Sequence, residues 1–293
     1  MRRHLLRLAV LLTVAGLSAT LLGGLAAVAL DGLVRTGSHR IGYTSDDVVV
    51  VLAIGTDMGP PHRPGDPLRG RADGIHLFVL DTATDAMTVV DIPRDAAIGG
   101  TKVNAHLAFG GPERLVAAVQ AWSGLPIDFH VLGSFQTVEA VTEALGGIQV
   151  DVPRRLLDPF SGSDLQPGPQ VIGPQQALAF TRDRKSLPDG DIGRSRNQTL
   201  LMLAALQQVR ATSADNLQYV VHVVATIQQH TTSNIPPGEV VPLALAALRV
   251  QPDAIEHITL TGPFGTIGGQ SVINLQPGEV FVRLSEGQVG PAR

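Results

Sequence analysis

Val48-Val49-Val50-Val51-Leu52-Ala53-Ile54 runs without a polar residue and stops at Gly55-Thr56-Asp57. An unbroken run of β-branched and aliphatic residues of this length reads as a buried strand. Downstream, Ile75 to Leu80 and Met87 to Ile92 read as two more strands. The short polar stretch Asp81 to Ala86 between them predicts a hairpin. Helical stretches follow. Pro112 to Trp122 has proline near its first turn. Ser134 to Leu145 opens on a capping residue and closes on Gly146-Gly147. Ile127 to Leu132 and Ile148 to Val152 are strands around the second of these. Arg154 to Gly173 is rich in Pro and Gly and reads as irregular. Helices are then expected over Pro174 to Phe180, Arg194 to Val209, Ser213 to about His230, and Pro237 to Leu248. Strands at Ile258 to Thr261 and Ser271 to Leu275 close the domain. Strands alternating with helices, with one hairpin among them, predict an α/β domain whose mixed sheet is covered on both faces.

Upstream of this domain lies a second kind of segment. Arg2, Arg3 and Arg7 precede Leu8 to Leu30, which holds no charged residue. As a helix this segment spans about 35 Å, against a hydrocarbon core of about 30 Å. The flanking arginines place the N-terminus in the cytoplasm and the remainder outside. Ala27-Val28-Ala29 resembles a signal-peptide cleavage site, but the length favours an uncleaved transmembrane anchor. The expected organisation is a basic cytoplasmic tail (1–7), an anchor (8–30), a tether (31–45), a catalytic domain (46–283) and a C-terminal tail (284–293). The protein is thus expected as a single-pass cell-membrane protein with its domain extracytoplasmic.

Composition removes several classes. The net charge is −4, which argues against a nucleic-acid partner. With no cysteine, disulfides, thiolate metal sites and cysteine nucleophiles are excluded. The nine histidines show no metal-ligand spacing. Trp122 and Phe109 read as core residues. The cations are almost all arginine, Lys102 and Lys185 being the two lysines. Arginine is the better fork for phosphate.

Polar residues cluster at strand ends, where ligands of open α/β sheets bind. Asp57 follows the first strand, Arg71 and Asp73 precede the second, and Arg94 and Asp95 follow the third. Arg182, Arg184, Arg194 and Arg196 fall within fifteen residues. Arg194 and Gln198 share one face of a helix start, a place that favours anions.

These stretches together resemble the LytR-CpsA-Psr family. The resemblance is carried by Gly55-Thr56-Asp57, Arg71-Ala72-Asp73, Ile92-Pro93-Arg94-Asp95, and Lys102-Val103-Asn104-Ala105-His106 with Gly110-Gly111. Ala144 to Pro153, Gln176 to Arg182 and the arginine segment complete the ordered set, over roughly residues 46 to 280. The resemblance implies an α-β-α sandwich with a long apolar groove for a polyprenyl tail. Its activity would be transfer of a glycopolymer from a polyprenyl-pyrophosphate carrier to peptidoglycan, forming a phosphodiester. By the same resemblance Asp57 and Asp73 hold Mg²⁺, with Mn²⁺ as its substitute. Arg71, Arg94, Arg182, Arg184 and Arg194 clamp the pyrophosphate, Lys102 assists, and Gln198 hydrogen-bonds it. Arg94 and Asp95 are the catalytic pair, with Asp95 accepting the proton of the incoming hydroxyl.

The family often has an arginine just before the glutamine; here Asn197 stands there. Arg196, one residue earlier, is turned by about 100° and is not expected to replace it. Rival readings are a hydrolase using the same site and a non-catalytic lipid carrier or regulator. A DNA-binding regulator is disfavoured, since the chain has no basic recognition helix.

Overall fold

The computed structural model describes residues 47–58, 70–213 and 216–291. The expected anchor, cytoplasmic tail and tether lie outside these residues, as does most of the Pro-rich stretch between Asp57 and Arg71. Among the described residues no helix is long and apolar enough to cross a membrane.

The aliphatic run forms β1 (Val48–Thr56) and pairs antiparallel with β2 (Ala72–Asp81). A tight turn at residues 82–85 joins β2 to β3 (Ala86–Asp91), giving the expected hairpin. Two short strands, β4 (Ala97–Ile98) and β5 (Thr101–Lys102), pair with each other. Helix α1 (Ala105–Ser123) starts seven residues before Pro112. Gly110 and Gly111 break it, and Gly111 has φ +74°, so Pro112 restarts the helix after a kink. This break also corrects the expectation for Phe109, which is 67% exposed rather than core; Arg114 lies over its ring.

Strand β6 (Phe129–Gly133) pairs parallel with β1. Helix α2 (Phe135–Ala144) follows Ser134, whose backbone N–H donates to Thr137 Oγ1 at 2.9 Å. Residues 154–173, expected to be irregular, instead contain strands. β7 (Ile148–Val152) pairs with β10 (Gly168–Ile172), and between them β8 (Leu156–Asp158) and β9 (Ser163–Leu165) form a small hairpin. Leu156, Leu165 and Ile172 are buried here, so scattered apolar residues define strands that Pro and Gly conceal.

Helix α3 (Pro174–Arg182) precedes α4 (Asp191–Ser213). α4 runs through Ser213, so Ser213 does not open the next helix. Asn216 is the N-cap of α5 (Leu217–His230), its side chain accepting from Tyr219 N. Strand β11 (Thr231–Ser233), α6 (Pro237–Arg249), β12 (Ile255–Thr259), the hairpin β13 (Phe264–Ile267) with β14 (Gln270–Ile273), and α7 (Glu279–Ser285) complete the chain. Leu284 is fully buried, and Gly290 N donates to Thr88 Oγ1 at 2.8 Å, so residues after 283 pack back on the sheet.

The central sheet is mixed, in the order β11-β6-β1-β2-β3-β12. On one face Leu52, Ile54, Ile75 and Leu77 pack with Leu107, Leu115 and Val119 of α1 and with Phe281 of α7. Trp122 joins this core edge-on to Phe281, their rings 5.2 Å apart. On the other face Leu80, Met87 and Val89 meet Leu203 and Leu206 of α4 and Ala246 of α6. Beyond α4 a second core gathers the β7–β10 layer with α3 and α5. Helices therefore cover both faces of a mixed sheet, the sandwich expected from the sequence.

Candidate active site

The β1–β2 ladder is irregular at one point. Gly55 faces Gly74 and Thr56 faces Ala72, leaving Asp73 as the extra residue of a β-bulge. A bulge breaks the period of two and re-aims side chains. Ala72, Ile75 and Leu77 all face the core under α1. Asp73, Gly74 and His76 all line a cavity on the opposite face.

That cavity, about 470 Å³, runs between the sheet and helices α2, α4, α5 and α6. Its length is apolar, with Val141, Leu201, Ala205, Val223 and Leu248 among its walls. Its charged side chains, Asp73, Arg182 and Arg194, gather with Gln198 at one end.

Around that end, carboxylates and cations alternate in one connected line. Lys102 Nζ lies 3.1 Å from Asp95 Oδ1, and Arg94 Nε 3.8 Å from the same oxygen. Arg94 pairs in turn with Asp73. Arg194 Nη1 is 3.7 Å from Asp73 Oδ2, and its Nη2 is 3.0 Å from Asp191 Oδ1. Arg184 ends the line, 3.7 Å from Asp191 Oδ2. Four cations thus share three carboxylates, leaving positive charge for an anion. Burial and the neighbouring Arg194 push Arg94 below its ordinary pKa; burial does the same for Arg194, although Asp191 opposes it. An arginine guanidinium is not deprotonated in a protein, so both remain cations. The direction means that charge is crowded and poorly hydrated here, a condition that an incoming anion relieves.

Local structure explains why these residues converge. Pro93 O accepts from Ala96 N, a turn that puts Arg94 and Asp95 at the end of β3. Asn104 N donates to Arg94 O, and Asn104 O accepts from Ala72 N, so the Lys-Val-Asn segment ties the Arg94 turn to the bulge. Asp183, fully buried, accepts from Ser163 Oγ at 2.5 Å and from Ser186 N at 3.0 Å. This anchors the end of α3, which carries Arg182, and the following segment, which carries Arg184. Arg182 stacks over Phe135, 4.8 Å from the ring centre.

Asp57 and Arg71 hold each other through the backbone. Arg71 N donates to Asp57 Oδ1 at 2.8 Å, and Asp57 N donates to Arg71 O at 3.2 Å. Asp57 also acts on Arg94 through its charge, while Asp73 pairs with that guanidinium directly. The side chain of Arg71 is not part of the alternating line. Gln198 is fixed at both ends of its amide: Nε2 donates to Thr181 O at 3.1 Å, and Oε1 lies 3.1 Å from His76 Nε2. Arg196 points away, to Asp189 at 2.8 Å, as its shift of one residue predicts. Asn197 is buried, and its Nδ2 lacks a hydrogen-bond partner.

Two residues of this site were not singled out from the sequence. Asp191 bridges Arg184 and Arg194; its i, i+3 spacing to Arg194 was the available signal. His76, inside an apolar strand, offered none.

Among the described residues no cluster of three or more His, Asp or Glu side chains is arranged to hold a metal by itself. Two carboxylates beside an anion site fit Mg²⁺, which keeps water and takes its remaining ligands from phosphate oxygens.

A model of the LytR_cpsA_psr family matches residues 31–283. The polyisoprenyl-teichoic acid–peptidoglycan teichoic acid transferase TagU of Bacillus mycoides (strain KBAB4) is 30% identical over 205 residues, 68% of this chain and 64% of that protein. The fold is similar to that of gbs0355 from Streptococcus agalactiae, with TM-score 0.71 and 22% identity over 84% of this chain and 90% of that one. It is also similar to TagT bound to LI-WTA, with TM-score 0.66 and 20% identity over 86% and 94% of the two chains.

Proposed function

The chain belongs to the LytR-CpsA-Psr family, and on that footing we propose that it is a phosphotransferase, moving a glycopolymer from a polyprenyl-pyrophosphate carrier to peptidoglycan. One observation carries the reading: an apolar cavity ends at an alternating line of arginines and aspartates with cations in excess. That combination suits an amphipathic ligand with a long hydrocarbon tail and a multiply charged phosphate head. The name of the Bacillus mycoides relative supports the same reaction class.

In this reading a peptidoglycan hydroxyl attacks the sugar-proximal phosphorus. The bond from that phosphorus to the bridging oxygen breaks, and polyprenyl phosphate leaves with the electron pair. A phosphodiester remains on the acceptor. Asp95 accepts the hydroxyl proton, held in place by Lys102. Arg94 and Arg194 stabilise the charge that develops on the phosphoryl oxygens, with Arg71, Arg182 and Arg184 around them and Gln198 fixing the head group. Such sites work by positioning and charge stabilisation. Mg²⁺, or Mn²⁺ in its place, would be held by Asp57 and Asp73 and would supply neutralisation of the pyrophosphate. The anchor over residues 8–30 would keep the domain on the outer face of the membrane, beside a lipid-borne donor.

The test is transfer by the full chain in detergent micelles, from a synthetic polyprenyl-pyrophosphate glycan to peptidoglycan, with and without Mg²⁺. Metal-dependent, peptidoglycan-linked product is expected. Release of polyprenyl phosphate with no linked glycan would assign a hydrolase instead. Tight lipid binding with no turnover would assign a carrier.

A further inference from the structure

His76 is buried in the middle of β2, 3% exposed, with both ring nitrogens engaged. Nδ1 lies 2.8 Å from Asp91 Oδ1, and Nε2 lies 3.1 Å from Gln198 Oε1. The Gln198 amide cannot turn its nitrogen toward the ring without pointing its oxygen at Thr181 O, which it now serves as a donor. Gln198 therefore presents an acceptor to Nε2, and Asp91 presents an acceptor to Nδ1. Thr199 Oγ1 also lies 3.1 Å from Nδ1, but its proton goes to Asp91 Oδ1 at 2.5 Å. Only a ring protonated on both nitrogens therefore donates to both Asp91 and Gln198.

Asp91 is built to balance that charge. It is fully buried and accepts from four side chains. His76 and Thr199 Oγ1 reach Oδ1, while His257 Nε2 and Thr259 Oγ1 reach Oδ2 at 2.7 and 2.8 Å. Burial by itself would raise its pKa, yet the hydrogen bonds and charges of His257 and His76 hold it well below the usual carboxylate range. The other charged residues on the same cavity are Asp73, Arg182 and Arg194.

We propose that His76 is a positioning residue of the transfer reaction: an imidazolium, balanced by Asp91, that locks the Gln198 amide beneath the pyrophosphate. The inference rests on the assignment of Gln198 to that head group. The space around the pair is tight. A Cβ added at Gly74 would meet Gln198 Oε1 at 3.0 Å and His76 Nε2 at 3.1 Å, so the bulge glycine leaves room for the contact.

Two amide variants separate positioning from stability. In His76→Asn the amide nitrogen stands near Nδ1, keeping the Asp91 contact and losing Gln198. In His76→Gln it stands near Nε2, keeping Gln198 and losing Asp91. Loss of a group that orients a site residue typically costs about 10- to 100-fold. His76→Asn is expected to melt near the wild-type temperature with kcat reduced about 10- to 100-fold and KM for the lipid donor within about twofold, since the tail remains bound. His76→Gln is expected to melt lower, with kcat per folded molecule closer to wild type. A wild-type kcat in His76→Asn, or equal losses in both variants at equal folded fraction, would overturn the proposal. ¹⁵N NMR of the His76 ring in the full chain, without substrate, is expected to show both nitrogens protonated at neutral pH. One bare nitrogen would overturn the imidazolium. If the wild type transfers nothing to peptidoglycan, the proposed function falls, while the ring spectrum still decides the state of His76.

Discussion

Arg194 and Asp191 sit three residues apart on α4, and their side chains meet at 3.0 Å with the guanidinium only 7% exposed. The same guanidinium reaches back to Asp73 on the neighbouring sheet. Removing one partner of a buried charge pair leaves the other uncompensated, at a cost on the order of 3 kcal/mol. Arg194→Ala is therefore expected to lose both stability and transfer. Arg194→Lys should recover much of the stability but little transfer, because a point charge cannot bridge two carboxylates and a phosphate. Thermal melts and initial rates on the two variants check this.

Arg94 is more exposed than Arg194, and without it Asp73 keeps Arg194 as a partner. Arg94→Ala is expected to abolish measurable transfer, a drop of at least about 100-fold, while leaving the melting temperature nearly unchanged. Transfer at the wild-type rate would remove Arg94 from the mechanism.

Gly70 closes against the end of β1. A Cβ there would lie 2.5 Å from Asp57 Oδ1 and would also strike Thr56 Oγ1 and Met58 Cγ. Gly70→Ala must therefore displace the Asp57 carboxylate. A rise of about 10- to 100-fold in the Mg²⁺ concentration needed for half-maximal transfer is expected, with the melt little altered.

Acidification should weaken the fold in two separate windows. Burial lowers His130 in the folded state, against a pull the other way from Glu113. Its contribution is full above the unfolded value of about 6.5 and is lost as pH falls through that range. Asp91 is depressed in the folded state, so its contribution is present above about 3.9 and is lost as pH falls further. Urea midpoints at a series of pH values should fall in two stages. His130→Gln is expected to flatten the upper stage and leave the lower one.

Ala205 lines the cavity from α4. Ala205→Phe should shorten the space for hydrocarbon. KM is expected to rise for a long-chain polyprenyl donor and to change little for a short-chain one.

Much of this was legible because apolar period and turn chemistry are local. The run at residues 48–54 and the Asp81–Ala86 turn gave the centre of the sheet. The polar groups at strand ends gave Asp73 and Arg94, and the density of arginines at a helix start gave Arg194. What escaped depends on partners distant in sequence. The strands within residues 154–173 are short, and Pro169 and Gly168 mask their pattern; they exist because Leu156, Leu165 and Ile172 find the second core. Asp91 and His76 sit inside apolar strands, and only pairing with each other and with Gln198 and His257 gives them a role. The end of α4 was missed because Ser213 is as good a cap by composition as Asn216, and helix continuity decided between them.

The bulge at Asp73 gives β2 two independent reading frames. One is kept by Ala72, Ile75 and Leu77 against the core; the other by Asp73, Gly74 and His76 toward the ligand. Deleting Gly74 would merge them without shifting the first frame. It would draw the carboxylate one rung, about 3.3 Å, away from Asp57 and against Gln198. The sheet can thus be retuned at the edge that carries Asp73 by a single residue gained or lost, a kind of variation that strands in perfect register do not permit.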